Sequence, residues 1–584
     1  MWLFVIFLVS QEFEAPQGNE TLIDELQELE RSPIPINTAK QEDFLRIYWI
    51  SPELAKSIIK TRNKVGEFKN VDDLNKVPGM TDEILEFIKP YITVGAIYEL
   101  PLQFEFRARV KEAFPHESGN QLGNPKKAYE RAKFKYRNVS GVLLFEKDYY
   151  EESYGDFITG GVMLQLNKRF PKFVLGDYKL EFGEGLLFGY PPLITFKNQG
   201  IIKSRERGIQ LYTNSGENTF LRGLSLESKL TEQVKNFIFF SHTLLDGKVE
   251  NGETFIYYDY EGDHSTLSGL AKKDRIRENL FGTRLEWDRV VKLGITGYKN
   301  YHFLNPEGTE VGTHKLFGID FSYKLTQTQW FGELGRCDTS WAWVMGIEYK
   351  RGKLRLGALS RYYPPHFYIF HSSPWSDRSG TTGGLAEKGN YLFIGYKISK
   401  NTRFSVSFDT FTRLPKIYSQ KLTEQGLKCS NEIEHKFTKQ FSVTSRYAFK
   451  SLEATRSNQF RLQADIGIKN IDMRVRGEKI YETDGRDGEL LYGDISYKLF
   501  ENLSVSTRLI LFDSDLSEFK LYEYERDLPG IMTSRVISGK GSRAYLIIKS
   551  RFASICELGL KYEFTSKSME PSTQKYSIQL DLEI

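Results

Sequence analysis

Three sets of residues in this chain have types and spacings that could do chemistry. The run "GEGLLFG" (Gly183–Gly189) has the GxGxxxG spacing of a phosphate-cradling loop. Such a loop works only where a strand feeds it and a helix follows, because the helix N-terminus completes the anion site. Here the glycines sit inside a run of β character with no helical period after them, so a bend or a close backbone contact is expected instead. The eight histidines are dispersed, with neither HExxH nor GxSxG spacing. His366 and His371 share a Pro- and aromatic-rich loop, "RYYPPHFYIFHSSPWSD", with no acid at fixed spacing beside them. Cys337, Cys429 and Cys556 form no CxxC pair, so neither a zinc knuckle nor a disulfide framework is expected. The third set is a bunch of cations, Lys56, Lys60, Arg62, Lys64 and Lys69, between the turns Trp49-Ile50-Ser51 and Gly79-Met80-Thr81. Cations beside the N–H groups that open a helix hold phosphate oxygens without regard to base sequence.

The elements around these residues fall into two regimes. Residues 1–16, "MWLFVIFLVSQEFEAP", hold a short apolar run of the length of a signal-peptide core, so export is expected. Residues 17–34 read as an acidic helix and linker, with Leu22, Leu26 and Leu29 on one face and Pro33 and Pro35 closing it. From 35 to 95 several short helical pieces follow, with start signals at Ser51-Pro52, at Asn70 with Asp72 and Asp73, and at Thr81 with Asp82 and Glu83.

Near Pro101 the period changes to two. "FRLQADIGI" alternates Phe460, Leu462, Ala464, Ile466 and Ile468 against Arg461, Gln463, Asp465 and Gly467, and the last ten residues, "KYSIQLDLEI", alternate to the end. About two dozen such segments span 100–584, each suited to crossing a bilayer when tilted. Tight connections such as Lys324–Gln329 alternate loosely with long ones such as Tyr363 to Asn390. No apolar run is long enough for a membrane-spanning helix. The polar faces are too rich in Arg, Glu, Asp and Gln for a dry core, which points away from soluble sandwiches and towards a barrel with a water-filled lumen. The expected fold is α + β: a small all-α region, then a large antiparallel transmembrane barrel of roughly 20–26 strands. On that reading Phe460, Leu462 and Ile466 face lipid, Arg461 and Asp465 face the lumen, and Arg461→Leu is close to silent for folding.

Residues 36–94 resemble the tandem helix-hairpin-helix domain of ComEA-type competence DNA receptors. The resemblance rests on Ile36-Asn37-Thr38-Ala39, Ala55, Ile58, Ile59, Arg62, Gly66-Glu67-Phe68, Leu74 and Val77-Pro78-Gly79-Met80-Thr81. A longer pattern, through Gly141–Asp148, Val174–Gly189 and Thr219–Leu226, resembles Gram-negative outer-membrane proteins that carry this domain ahead of a large barrel. The final strand is similar to the C-terminal signal read by the barrel-assembly machinery, with Ile584 in place of the usual aromatic.

The first resemblance implies DNA binding through Gly-hydrophobic-Gly turns. This chain has Trp49-Ile50-Ser51 at one turn and keeps only Gly79 at the other, where Thr81 replaces the second glycine. Residues 36–94 also hold nine basic and nine acidic residues, so phosphate neutralisation has little to draw on. Weak DNA binding is therefore expected. Trp49, Ser51, Lys60, Arg62, Lys64, Gly79, Met80 and Thr81 are the candidate contacts to DNA or to a periplasmic protein, Trp49 being a protein-contact anchor. The leading expectation is a non-enzymatic channel or assembly component in outer-membrane lipid, with its helical domain in the periplasm docking a partner or gating the lumen. A DNA-handling protein is the alternative and an outer-membrane hydrolase the third. No catalytic residue, cofactor or metal is assigned.

Overall fold

A computed structural model describes residues 26, 29, 33–47, 49–50, 52–80, 82–95, 102–116, 119–167, 169–189, 203–204, 206–217, 219–250, 254–259, 262–367, 370–377, 386–415, 423–483, 485–515, 521–531, 533–552, 555–568 and 570–584. The signal-like segment lies outside them. Of the acidic helix, Leu26 and Leu29 are described; both are helical and buried in the core of the helical region. That region holds helices Gln41–Phe44, Pro52–Val65 and Asp82–Ile88 with a 3-10 turn, Val71–Lys76. Its motif residues are structural ties. Asn37 donates to the Phe68 carbonyl and accepts from its N–H at 3.0 and 2.9 Å. Arg62 donates to the carbonyls of Ile36 and Ala39, each at 2.9 Å. Asn70 and Asp73 cap the 3-10 turn reciprocally. Ile34 and Pro35 pair in parallel with Ile92 and Thr93, joining the two ends of the region.

From Leu102 the chain forms a closed antiparallel barrel of 24 strands, and the short strand Gly208–Leu211 pairs beside the end of Lys172–Glu181. The last strand, Glu570–Glu583, closes on the first, Leu102–Phe114, with Ile578 opposite Val110 and Leu582 opposite Phe106. Phe104 and Ile584 exchange both backbone hydrogen bonds at 2.9 Å. Closure leaves no strand edge unpaired, which an apolar surrounding requires.

The barrel has two unlike ends. One holds both barrel termini and tight connections such as Thr326-Gln327 and Gly352-Lys353; it is called the turn end below. The other carries the long connections 115–125, 246–275, 364–386 and 515–540 and is called the loop end. Apolar residues point outward, as Phe460 and Leu462 do at 48% and 59% exposure, while Arg461, Gln463 and Asp465 are buried on the inner face. Ile466 is half-buried on the outward side.

The inner face corrects the expectation of a water-filled lumen. The 515–540 connection folds inward as a hairpin, Leu521–Glu525 with Thr533–Ile537. Its acids meet cations of the wall: Glu523 accepts from Arg476 at 2.9 Å and Arg508 at 2.7 Å, Glu525 from Arg543 at 2.5 Å, and Asp527 pairs with Lys561 at 2.9 Å. The wall charges are excluded from water and held by partners, as buried charge demands. Arg461 likewise donates to Glu478 at 2.8 Å, so its replacement by Leu is not silent: a buried carboxylate would lose its principal partner.

Two substitutions separate the faces. Leu462→Arg, in mid-strand on the outer face, is expected to cost about 2–4 kcal/mol. Arg461→Leu should cost about 3 kcal/mol, the low end for breaking a buried pair, because Glu478 keeps a hydrogen bond from Gln459 at 2.6 Å. Reversible denaturant titration in detergent or lipid checks both; a neutral Arg461→Leu would mean that water reaches Glu478.

Candidate functional site at the turn end

The helical region docks on the turn end through helix Pro52–Val65 and the turn at Gly79. Helix Pro52–Val65 opens just after the first turn, and its Lys56 forms an ion pair with Asp288, the last residue of strand Ile276–Asp288. The second turn meets strand Glu310–Leu325. Gly79 has a φ of +94°, and a Cβ there would lie 3.3 Å from the Lys324 ammonium. This conformation favours glycine, and the close approach to the barrel adds a second reason for it. The third contact comes from inside. Tyr524 of the luminal hairpin is buried within the apolar cluster of the helical region, together with Trp49, Ile58, Leu85 and Tyr91. Its carbonyl accepts from Arg508 at 2.7 Å, so one residue links the barrel wall, the hairpin and the helical region.

The sequence-predicted contacts divide accordingly. Trp49 is no exposed anchor: it is buried, stacked on Phe87 and Tyr91 with ring centroids 5.5 and 5.8 Å away. Its indole fills the core of its own domain because two aromatic rings flank it there. Met80 is in the same core, and Arg62 is spent on the entry segment. Gly79 faces the barrel rim. Lys60 and Lys64 are exposed. Ser51 and Thr81 lie outside the described residues. Asp73, also on the surface, is held down to about 2 by its hydrogen bond with Lys76 and by the N–H groups of Asn70 and Lys69.

A second inward fold occupies the lumen nearer the loop end, and it contains the glycine run. The run is not inside a strand; the chain leaves strand Lys172–Glu181 at Phe182. Gly183 and Gly185 adopt positive φ of 54° and 80°. They turn the backbone so that the N–H groups of Glu184, Leu186 and Leu187 converge on the Glu333 carboxylate at 2.8, 3.0 and 3.2 Å. The loop does cradle an anion, but the anion is a side chain of its own barrel. Phe182, Leu186, Leu187 and Phe188 pack against inward Phe237, Phe239, Tyr298, Leu316 and Tyr363. One signal in the sequence marks this contact: "FIFF" (Phe237–Phe240) does not alternate, since both its faces are apolar. His371 also differs from expectation, because it has an acid partner, Glu278, at 2.9 Å. The inward fold of the connection that carries His371, not sequence spacing, supplies that partner.

Residues 30–93 match the model of a family described as helix-hairpin-helix motif. Over 61 residues the chain is 38% identical to ComE operon protein 1 of Bacillus subtilis (strain 168), a match covering 10% of this chain and 30% of that protein. The chain thus aligns with less than a third of that relative's length. Among solved structures it is similar to the ferric enterobactin receptor PfeA of Pseudomonas aeruginosa, at 9% identity and a TM-score of 0.39 over 82% of this chain and 80% of that one. It is also similar to the FrpB iron transporter of Neisseria meningitidis, at 9% and 0.40 over 82% and 81%. The P pilus usher PapC translocation pore aligns at 8% and 0.35 over 82% and 99%. These values carry no inference about cargo or activity.

The docking contact is open to a direct check. A zero-length carbodiimide should join Lys56 to Asp288 in the folded protein, read as a crosslinked peptide pair by mass spectrometry. Asp288→Ala should abolish that product and leave barrel folding unchanged.

Proposed function

We propose that this outer-membrane barrel is a gated channel whose helix-hairpin-helix domain is a periplasmic closure rather than a DNA-binding arm. The observation that carries the reading is Tyr524, a luminal residue seated in the core cluster of the helical domain. A domain free to bind nucleic acid has no need of a barrel residue in its core. In this reading the barrel termini lie in the periplasm, strand Leu102–Phe114 runs outward, and the 115–125 connection is extracellular, as an even strand count allows. The Lys56–Asp288 pair is half-exposed and contributes roughly 0–1 kcal/mol. The burial of Tyr524 adds about 1.5–3 kcal/mol, taking it as comparable to a large apolar side chain. Release of the helical domain, held by these contacts at a few kcal/mol, is a minor state that a partner can select, and a fully open lumen further requires the hairpin's ion pairs with the wall to give way. Exposed Lys60 and Lys64 are on hand for such a partner.

The test is conductance of the purified protein in planar bilayers. Full-length protein should be mostly closed, and Tyr524→Ala with Asp288→Ala should open more often. Equal open probability in the two would reject a gating role for the docked domain. The turn that meets DNA phosphate in related domains here faces Lys324, so duplex binding by the full-length protein should be no tighter than the non-specific limit of about 10⁻⁴ M and steeply salt-dependent. Submicromolar binding at physiological salt, lost on Gly79→Glu, would favour the DNA-handling reading.

A further inference from the structure

One sector of the barrel's outer face carries charge at one end alone. It is made of strands Ile276–Asp288, Val291–Leu304, Glu310–Leu325 and Thr328–Cys337. Alternation with exposed Phe281, Ile295, Phe317 and Leu334 puts Arg277, Lys299, Lys315 and Arg336 on the side that faces lipid. All four lie in the loop-end halves of their strands. The outward positions of the turn-end halves hold no charge; Leu285, Trp287, Leu293, Tyr323 and Trp330 are among them.

Register sets these cations against one another. Lys299 and Lys315 stand directly opposite on adjacent strands, and Arg336 opposes Phe317, the next outward residue after Lys315. Directly opposed like charges destabilise a sheet. Among the described residues, Arg277, Lys299 and Lys315 form no ion pair with a carboxylate. Two acids lie near and are engaged elsewhere. Asp338 takes the His314 ring at 2.8 Å and the Lys315 backbone N–H at 2.9 Å, and Glu310 accepts from the Thr313 hydroxyl. Aromatic rings hold three of the cations at this level: Arg277 over Phe303 at 5.1 Å, Lys299 over Tyr301 at 4.3 Å and Arg336 over Trp341 at 5.5 Å. Such rings mark the border where the apolar band of a barrel meets the headgroups. The Nε of Arg277 is shut off from water there without a hydrogen-bond partner.

We propose that this face binds the phosphate monoester of a lipid headgroup in the leaflet at the loop end, with Lys299 and Lys315 sharing the phosphate and Arg277 and Arg336 flanking it. A phosphate monoester carries a charge of about −1.5 to −2 at neutral pH, so between two ammonium groups it turns their repulsion into attraction. Cβ atoms of directly opposed residues are about 4.5–5.5 Å apart, which brings both lysines within reach of one phosphate. The acyl chains then lie along Phe281, Ile295, Phe317 and Ile319 of the same strands, so headgroup and tails find matching surface on one face. Snorkelling explains a lone cation at a membrane border. It explains neither two opposed lysines without an acid nor the uncharged turn-end halves of the same strands.

The test is native mass spectrometry of the full-length protein in a nonionic detergent, titrated with phosphatidic acid or with phosphatidylcholine. Phosphatidic acid presents a phosphate monoester; phosphatidylcholine presents a diester beside a fixed cation. One phosphatidic acid per chain should be retained in preference. Lys299→Gln and Lys315→Gln should each weaken its retention about fivefold, and the double variant about 25-fold. Lys540→Gln, an exposed cation elsewhere that pairs with Asp513 at 2.5 Å, should not change it. A second readout separates ligand from scaffold. Without anionic lipid, Lys299→Gln removes a repulsion, so its denaturation midpoint should stay level or rise; a fall would mean that the lysines serve the sheet itself and would overturn the proposal. Equal retention of the two lipids, retention that survives the double variant, or displacement of phosphatidic acid by an equal concentration of inorganic phosphate would overturn it too.

Discussion

A charge shut away from water must find a partner, and the interior of this barrel is organised by that constraint. Arg476, Arg508, Arg543 and Lys561 project inward from four different strands; the wall gives Arg508 the carboxylate of Asp494 and gives Arg543 and Lys561 a shared Glu563, and further acid comes from an in-folded connection. The hairpin of the 515–540 connection supplies Glu523, Glu525 and Asp527. Removing a partner from such a pair leaves an uncompensated charge, at a cost of about 3–5 kcal/mol. The hairpin is therefore held in the lumen by several ties, and its Tyr524 is delivered to the helical region as a consequence. Docking of that region and filling of the lumen are one arrangement.

The same logic runs through the rest of the inner wall. Arg361 donates to Glu387 at 2.5 Å and to Asp409 at 2.8 Å on the two strands beyond it. Arg284 meets Asp320, and Asp377 of an in-folded connection meets Arg413 and Lys428. Where the wall is apolar instead, from Phe237 to Tyr363, the Phe182–Gly189 fold covers it with Leu186, Leu187 and Phe188 and anchors itself on Glu333. Polar wall receives polar loop, and apolar wall receives apolar loop.

The helical region shows how a scaffold can keep its fold while changing its contacts. The entry asparagine, the arginine tie and the capped 3-10 turn are all made. The Gly79 turn, which such a scaffold presents to phosphate, is aimed at Lys324 of the barrel rim, and Lys56 of the helix after the other turn meets Asp288. One of these rim residues is an anion and the other a cation, so the rim does not mimic a phosphate backbone. It is a specific protein surface.

Much of this was legible in the sequence, and the reason is periodicity. Alternation along each strand reports which residues face lipid, because successive side chains point to opposite faces, and Phe460, Leu462, Arg461 and Asp465 stand where that rule puts them. The spacing of Asn37, Arg62 and Gly79 marks the helical motif because its ties, such as Asn37 to Phe68 and Arg62 to Ile36, join fixed positions of one short recurring domain. Pairings between distant segments were not legible. Nothing near Glu523 in sequence announces Arg476 or Arg508, and nothing near Trp49 says whether its indole faces a partner or Phe87. His302 likewise meets Glu278, and His314 meets Asp338, only through the pairing of neighbouring strands. A local pattern determines which face a residue takes; which residue it meets there is decided by closure of the sheet and the depth to which each connection folds, and both are properties of the whole barrel.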